Sequence, residues 1–274
     1  MYLLRCRNKS KDEIDTYVFG QFDKAFAERP FPVSKGEGVK EDAVKIKREV
    51  ATRGITRLCH FTQSRKLAHI ICNPRGVMPT AELRIVAPDL LDVTDNERLD
   101  GYLDHISCSV EFPNTWYLRK IKDQDPLFKD WVILFIKPLH LCKDATLFCW
   151  RNASSQRGRL VRGGYSGFQS LFQPEITGAR GWIFKRTPEM LACCPTDDQA
   201  EVLVSGNVPR EDITGVAVCS EDQAKRESVR LSLLQDAILL NWIVVPQIFT
   251  TEWSGLVRRG WRPAEKLYCE KGAM

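Results

Sequence analysis

Three short segments of this chain carry residue types that could do chemistry. In Cys59-His-Phe-Thr62 an imidazole and a hydroxyl end the β-like run Ile55-Thr-Arg-Leu-Cys-His-Phe61. A strand end is a rigid platform that can hold both groups toward a cleft, although a lone histidine there is more often a hydrogen-bonded structural one. In Asn96-Glu-Arg-Leu-Asp-Gly-Tyr102 a guanidinium, Arg98, sits in a polar loop. It is either an exposed ion pair of little worth or a fork that fits diphosphate oxygens. In Thr196-Asp-Asp-Gln-Ala-Glu201-Val-Leu-Val204 a carboxylate heads an apolar strand behind a polar turn. Glu201 either points into a cleft or caps the strand edge in solvent.

A fourth segment is basic. Residues 151–187 hold seven cations, Arg151, Arg157, Arg159, Arg162, Arg180, Lys185 and Arg186, against one acid, Glu175. Tyr165, Phe168, Phe172, Trp182 and Phe184 lie among them, with glycines that let the backbone approach closely. Cations that track phosphates, mixed with aromatics on which bases stack, suit a single-strand groove. For any one aromatic, packing on the core is the plainer reading. For the stretch as a whole, the charge ratio favours nucleic acid, with Arg157, Arg159, Arg162, Tyr165, Phe168 and Arg180 as its contacts.

These segments need elements to position them. After the first β-like run, Thr62 or Ser64 can cap a helix with Leu67, Ile70 and Ile71 on its apolar face. Pro74 and Gly76 end that helix. Ile106-Ser-Cys-Ser-Val-Glu-Phe112 alternates like a strand, and Trp131-Val-Ile-Leu-Phe-Ile136 reads as a central strand covered on both faces. Residues 201–204 and 213–218 form two more strands. A helix is expected between 220 and 240 with Val229, Leu233 and Asp236-Ala-Ile at helical spacing, and a last strand over 241–249. The pattern is an α+β domain with a mostly antiparallel sheet over residues 55–274. Residues 1–54 read as a helical N-terminal extension, with a loop at Pro30, Pro32 and Gly36.

Composition excludes several classes. Hydrophobic residues are 43% and charged residues 27%, the mix of a globular protein and not of a disordered or fibrous one. A net charge of +5 does not by itself require a nucleic-acid partner. The ten cysteines include no Cys-x-x-Cys pair, and the adjacent Cys193 and Cys194 cannot easily share one metal, so free thiols and no metal are expected. The N-terminus has too short an apolar core for a secretory signal. The longest apolar stretch, 231–249, is broken by Gln235, Asp236, Asn241 and Pro246 and is too polar to span a bilayer. A cytoplasmic protein is expected.

Taken in order, His-Phe-Thr, then Arg-x-Asp-Gly with Ser-Val-Glu-Phe-Pro-Asn, then Gln-Ala-Glu-Val-Leu-Val, the segments resemble the DarT family of NAD+-dependent ADP-ribosyltransferases, bacterial toxins that modify bases in single-stranded DNA. The resemblance runs over about residues 55–218, and Gln-Ala-Glu is its most specific piece. It implies a split antiparallel β-sheet flanked by helices, with NAD+ as substrate across the gap and no metal. Transferred residue by residue, it makes Glu201 the catalytic glutamate and Arg98 the cleft arginine near the diphosphate and the target base. His60, Phe61 and Thr62 would hold NAD+ near its riboses and nicotinamide amide, and residues 187–200 would be the substrate-recognition turn. Residues 1–54 have no counterpart in it. It further implies a cognate antitoxin, either a macrodomain hydrolase or a protein that masks the cleft. A related branch, the CmdT-type toxins, modifies messenger RNA, so RNA stands as the alternative acceptor, and a non-enzymatic nucleic-acid-binding module with the same basic stretch as the alternative function.

Overall fold

The computed structural model describes residues 37–91, 99–124, 128–178, 181–234 and 240–269. Its first half runs α1 (Glu37–Arg53), β1 (Leu58–Gln63), α2 (Leu67–Cys72), α3 (Thr80–Val86), β2 (His105–Val110), α4 (Thr115–Gln124) and β3 (Trp131–Ile136). Then come β4 (Leu147–Cys149), β5 (Arg162–Gly163), α5 (Gly164–Ser170) and the hairpin β6 (Glu175–Thr177) and β7 (Ile183–Lys185). The chain closes with β8 (Glu201–Ser205), β9 (Ile213–Val218), α6 (Glu221–Ser232), β10 (Trp242–Val244), α7 (Glu252–Val257) and β11 (Lys266–Leu267).

Nine strands form one sheet in the order β11-β10-β9-β3-β1-β2-β8-β4-β5. All its pairings are antiparallel except β9 with β10. The unbroken apolar run of β3 makes it central, with all six residues buried, because a strand covered on both faces has no polar side to alternate with.

The join between β1 and β2 matters most for function. β1 pairs with β3 along its whole length, from Leu58↔Ile136 to Gln63↔Trp131. With β2 it pairs only at Leu58↔Val110 and Cys59↔Ser109. β2 in turn pairs with β8 from His105 to Cys108. Beyond Cys59 the two strands therefore part, and the sheet splits between residues 60–63 and 105–108. This is the split antiparallel sheet that the family resemblance implies.

The expected boundary at 54/55 does not divide the structure. Residues 37–53 are helical, but Ile46 and Val50 of α1 lie at 3% and 0% exposure inside the main core. Each such side chain contributes about 1.5–3 kcal/mol through burial. α1 is thus part of the domain. The remainder of the expected extension lies outside the described residues.

α6 begins where expected, with the Ser220 hydroxyl accepting from Gln223 N at 3.1 Å. Its buried face is Ala224 and Leu231; Val229 and Leu233 are 47% and 80% exposed, so that expectation is corrected. Asp236-Ala-Ile falls outside the described residues. The final strand is shorter than expected, since Pro246 opens a 3₁₀ turn after β10.

Candidate active site

His60 sits where the sheet opens. Its backbone is in register with Leu134 of β3, and its ring spans the split, with Nδ1 2.9 Å from the Ser107 carbonyl. A carbonyl only accepts, so Nδ1 carries the proton, and in the neutral ring Nε2 is the acceptor nitrogen. The imidazole is therefore fixed in both orientation and tautomer. Thr62, two residues on, is buried, and Phe61 is half-buried against Tyr117 and Trp131, with ring centroids 6.1 and 6.2 Å away. The preceding Cys59 forms no cysteine–histidine nucleophile. Burial pushes its thiol up to about 12, which keeps it protonated at neutral pH.

Glu201 opens β8 on the other side of the split. The register continues Cys59↔Ser109 across β2, which places Glu201 two strands from β1, about 10 Å at the usual strand spacing. The residue is 7% exposed. Oε1 accepts from the Asn152 side-chain amide at 2.9 Å, and Oε2 accepts from the Ala153 backbone N–H at 3.3 Å. Both donors stand at the head of a 3₁₀ turn, Ala153–Gln156, which Asn152 also caps by accepting from Ser154 N at 3.0 Å. β4 delivers this turn because Cys149 pairs directly with Glu201. Donors aimed at a buried carboxylate favour its ionised form.

The approach to Glu201 is rigid. Asp197 is 1% exposed and lies 3.4 Å from Arg151 Nε. Burial raises its carboxyl above the ordinary range, opposed by the Gln199 N–H and the charge of Arg151. Arg186 donates to the carbonyls of Leu191, Ala192 and Cys194, and Arg258 to Thr196 O and Asp198. Met190, Cys193, Cys194, Thr196 and Asp197 are all buried. Half of the turn over 187–200, expected to read the substrate, is buried. Only residues 187–189 and 192 are fully exposed.

A satellite core of Cys149, Ala153, Val161 and Leu203, with Tyr102, Leu147 and Leu160 against it, ties three of the sequence segments together. Gly158 packs so closely on Asp100 that a Cβ there would lie 2.5 Å from the Asp100 carbonyl. Arg98 lies outside the described residues; Asp100 and Tyr102 pack against the 151–162 segment beside Glu201.

The basic stretch divides on inspection. Arg157, Arg159 and Arg162 are exposed, and Arg162 lies 6.0 Å from the centre of the Trp150 ring. Phe168 must be corrected: it is 0% exposed and packs edge-on against Phe148 at 5.6 Å, so no base can stack on it. α5 turns it inward with Leu171 and Phe172. Tyr165 is half-buried. Its hydroxyl bonds Glu49 of α1, which raises its pKa, and accepts from Gln169 at 3.0 Å. Arg180 lies outside the described residues. Arg151 and Arg186 hold the fold, and Lys185 pairs with Glu175 across the hairpin at 2.8 Å. Asn152, which holds Glu201, is not among the residues that the sequence segments single out.

Among the described residues no three histidine, cysteine or acidic groups converge to hold a metal, and no helix is long and apolar enough to cross a membrane.

The family model described as "ssDNA thymidine ADP-ribosyltransferase, DarT" matches residues 59–250. Among solved structures, Thermus sp. 2.9 DarT in complex with NAD+ aligns with a TM-score of 0.51 at 16% identity, over 71% of this chain and 98% of that one. The same protein in complex with ADP-ribosylated ssDNA aligns at 0.48 and 12% identity, over 72% and 97%. Thermosipho africanus DarTG in complex with ADP-ribose aligns at 0.48 and 14% identity over 70% of this chain, which spans about half (50%) of that one. No curated protein sequence matches the chain.

Proposed function

The chain belongs to the DarT family of ADP-ribosyltransferases, and on that premise we propose that it transfers ADP-ribose from NAD+ to a thymine base of single-stranded DNA, with Glu201 as the catalytic carboxylate. One observation carries the reading: the buried Glu201 carboxylate at the head of β8, gripped by Asn152 and Ala153 beside the split.

The residues fit NAD+ in their chemistry. An imidazole of fixed tautomer stands where β1 and β2 part, and a carboxylate of fixed orientation stands two strands from β1, about 10 Å at the usual strand spacing. NAD+ supplies an ADP-ribosyl group whose bond to nicotinamide breaks as positive charge develops on the ribose. Glu201 binds the 2′-hydroxyl and stabilises that charge, an electrostatic contribution made before the reaction because Asn152 and Ala153 already hold the carboxylate in place. The same carboxylate then takes the proton from the attacking base nitrogen as general base. A thymine imide is a poor nucleophile until that proton leaves. His60 Nε2 accepts from a ribose hydroxyl, Thr62 serves the nicotinamide amide, and Arg98 takes the diphosphate. Arg157, Arg159 and Arg162 follow the phosphates of the acceptor strand, and a single strand spares the cost of unstacking the base.

Purified protein, NAD+ labelled in its ADP-ribose portion, and matched DNA and RNA oligonucleotides test this. Wild type labels thymine-containing DNA and releases nicotinamide; Glu201→Gln does neither. Label on RNA and not on DNA would move the acceptor to RNA, and no label with no nicotinamide released would end the reading. The family also implies a toxin restrained by a cognate antitoxin: expression of wild type, but not of Glu201→Gln, should arrest growth, and the antitoxin should restore it.

A further inference from the structure

A cleft of about 580 Å3 opens between the 150–160 segment and the β6–β7 hairpin, outside the site described above. That volume is within the range of small-molecule sites. We propose that it holds the nucleobase next to the modified base in the acceptor strand and so sets the sequence context in which the enzyme acts. The inference rests on the single-stranded acceptor proposed above.

Its lining argues for a base and against a phosphate. Trp150, Leu160 and Ile176 supply an indole face and apolar walls. Gln156 and Gln173 are both exposed at the cleft, and each amide offers a donor and an acceptor, the pair of groups that reads a base edge. The single cation in the lining, Arg151, is committed to Asp197 and to the Thr177 carbonyl at 3.2 Å. Glu175 lines the same cleft, its carboxylate paired with Lys185 at 2.8 Å. An anion would meet one engaged guanidinium and one carboxylate; a neutral, planar, hydrogen-bonding ring meets an indole and two amides.

Position makes the neighbouring base the occupant. Cys149 lies directly opposite Glu201, and Trp150 is the next residue, so its Cα is about 6 Å from that of Glu201. The exposed Arg157 and Arg159 lie on the same segment and Arg162 stands by Trp150, where a backbone could pass while one base turns inward. The hairpin is braced from below, because Arg151 joins Thr177 to the turn that carries Asp197.

The test uses the full chain and a set of DNA oligonucleotides with one target thymine and each of the four bases on either side of it. Wild type should prefer one neighbour. Gln156→Ala and Gln173→Ala, both at exposed positions, should lower kcat/KM on the preferred oligonucleotide about ten- to hundredfold and flatten the preference, the range lost with one base-edge contact. Trp150→Ala should lose about as much, and Trp150→Phe should recover most of it, as stacking requires. A photoreactive 5-bromouracil at the neighbouring position should crosslink to a peptide containing Trp150 or Gln156. A wild type indifferent to its neighbours, glutamine variants that keep the full preference, or a crosslink elsewhere would each overturn the proposal. A wild type that labels no oligonucleotide removes the acceptor reading beneath it, which is a distinct result.

Discussion

Asn152→Ala removes one side chain that does two things, and their sizes can be separated. The first is the amide donor on Glu201 Oε1 at 2.9 Å; the second is the cap on Ser154 N at 3.0 Å. A hydrogen bond to a charged group is worth about 1.5–3 kcal/mol, more when its loss strands a buried partner. An N-cap is worth about 1 kcal/mol. Glu201 is 7% exposed and keeps the Ala153 N–H at 3.3 Å, so the donor loss should fall near the lower end. The variant should therefore lose about 2–4 kcal/mol of stability, a melting temperature lower by roughly 4–16 °C for a domain of this size.

Catalysis should suffer differently. A carboxylate with one donor in place of two is held less firmly, and loss of near-attack geometry costs about ten- to a hundredfold in kcat, with the KM for NAD+ changed by less than about threefold. Asn152→Asp separates the two roles. Aspartate caps as well as asparagine, so the turn survives, but an anion replaces the donor facing Glu201. It should be the less active of the two variants. In a Glu201→Gln background the stability cost of Asn152→Ala should shrink, since neighbouring groups couple by about 0.5–3 kcal/mol. Thermal melts, nicotinamide release and label transfer supply the measurements. If Asn152→Ala keeps kcat within about threefold of wild type, or if Asn152→Asp is as active as wild type, Asn152 does not position Glu201.

Glu201→Gln keeps the shape of the side chain and removes its charge; transfer should fall at least about a hundredfold, the scale on which aimed electrostatic groups act, as labelled DNA would show. Ile46→Ala should cost about 2–4 kcal/mol in chemical denaturation, because α1 belongs to the core; an unchanged midpoint would restore the boundary at residue 54. Glu265→Gln should cost about 1–3 kcal/mol, since Arg57 is buried and would keep one neutral acceptor in place of a partly exposed carboxylate held at 2.5 and 3.0 Å. Burial pushes the Glu265 carboxyl up, but the Arg57 charge and hydrogen bonds outweigh it and leave it below 4.5. A folded value below the unfolded one gives stability that is fully present above about pH 4.5 and fades as pH falls through the folded value, so the gap between wild type and variant should narrow in acid melts.

What could be read from the sequence followed from local pattern. β3 is an unbroken apolar run, and β8 and β9 begin where their apolar runs begin. Local pattern also held signals that charge obscured. Phe168, Leu171 and Phe172 stand at i, i+3 and i+4, the spacing of a buried helical face, yet the surrounding arginines made them look like a stacking surface. Ala43, Ile46 and Val50 mark a helical stripe in the same way within a segment rich in lysine and glutamate. Asn152 was hidden for a different reason. Asn-Ala-Ser signals a cap, but its hold on Glu201 depends on β4 pairing with β8, a contact across 49 residues that no local pattern encodes.

The same limit applies to the joint that keeps the sheet split. β1 and β2 remain paired at Leu58↔Val110, and just beyond that pair lies a buried charge cluster. Arg57 donates through Nε to the Glu111 carbonyl, and the Glu111 N–H returns a bond to Arg57 O at 3.1 Å. Glu111 is fully buried at φ 65°, a left-handed conformation that costs a non-glycine residue about 1–3 kcal/mol. Its carboxylate offsets that cost by accepting from Thr56 N and Oγ1 at 2.8 and 2.7 Å and from Arg262. Arg262 and Glu265 come from the C-terminal segment, which thereby clamps the closed end of the split from about 150 to 210 residues away in sequence. That clamp holds the level of the sheet at which Glu201 stands, in register with the Cys59↔Ser109 pair, with His60 one residue beyond it. Their geometry is thus determined at the joint, by residues with no part in the chemistry.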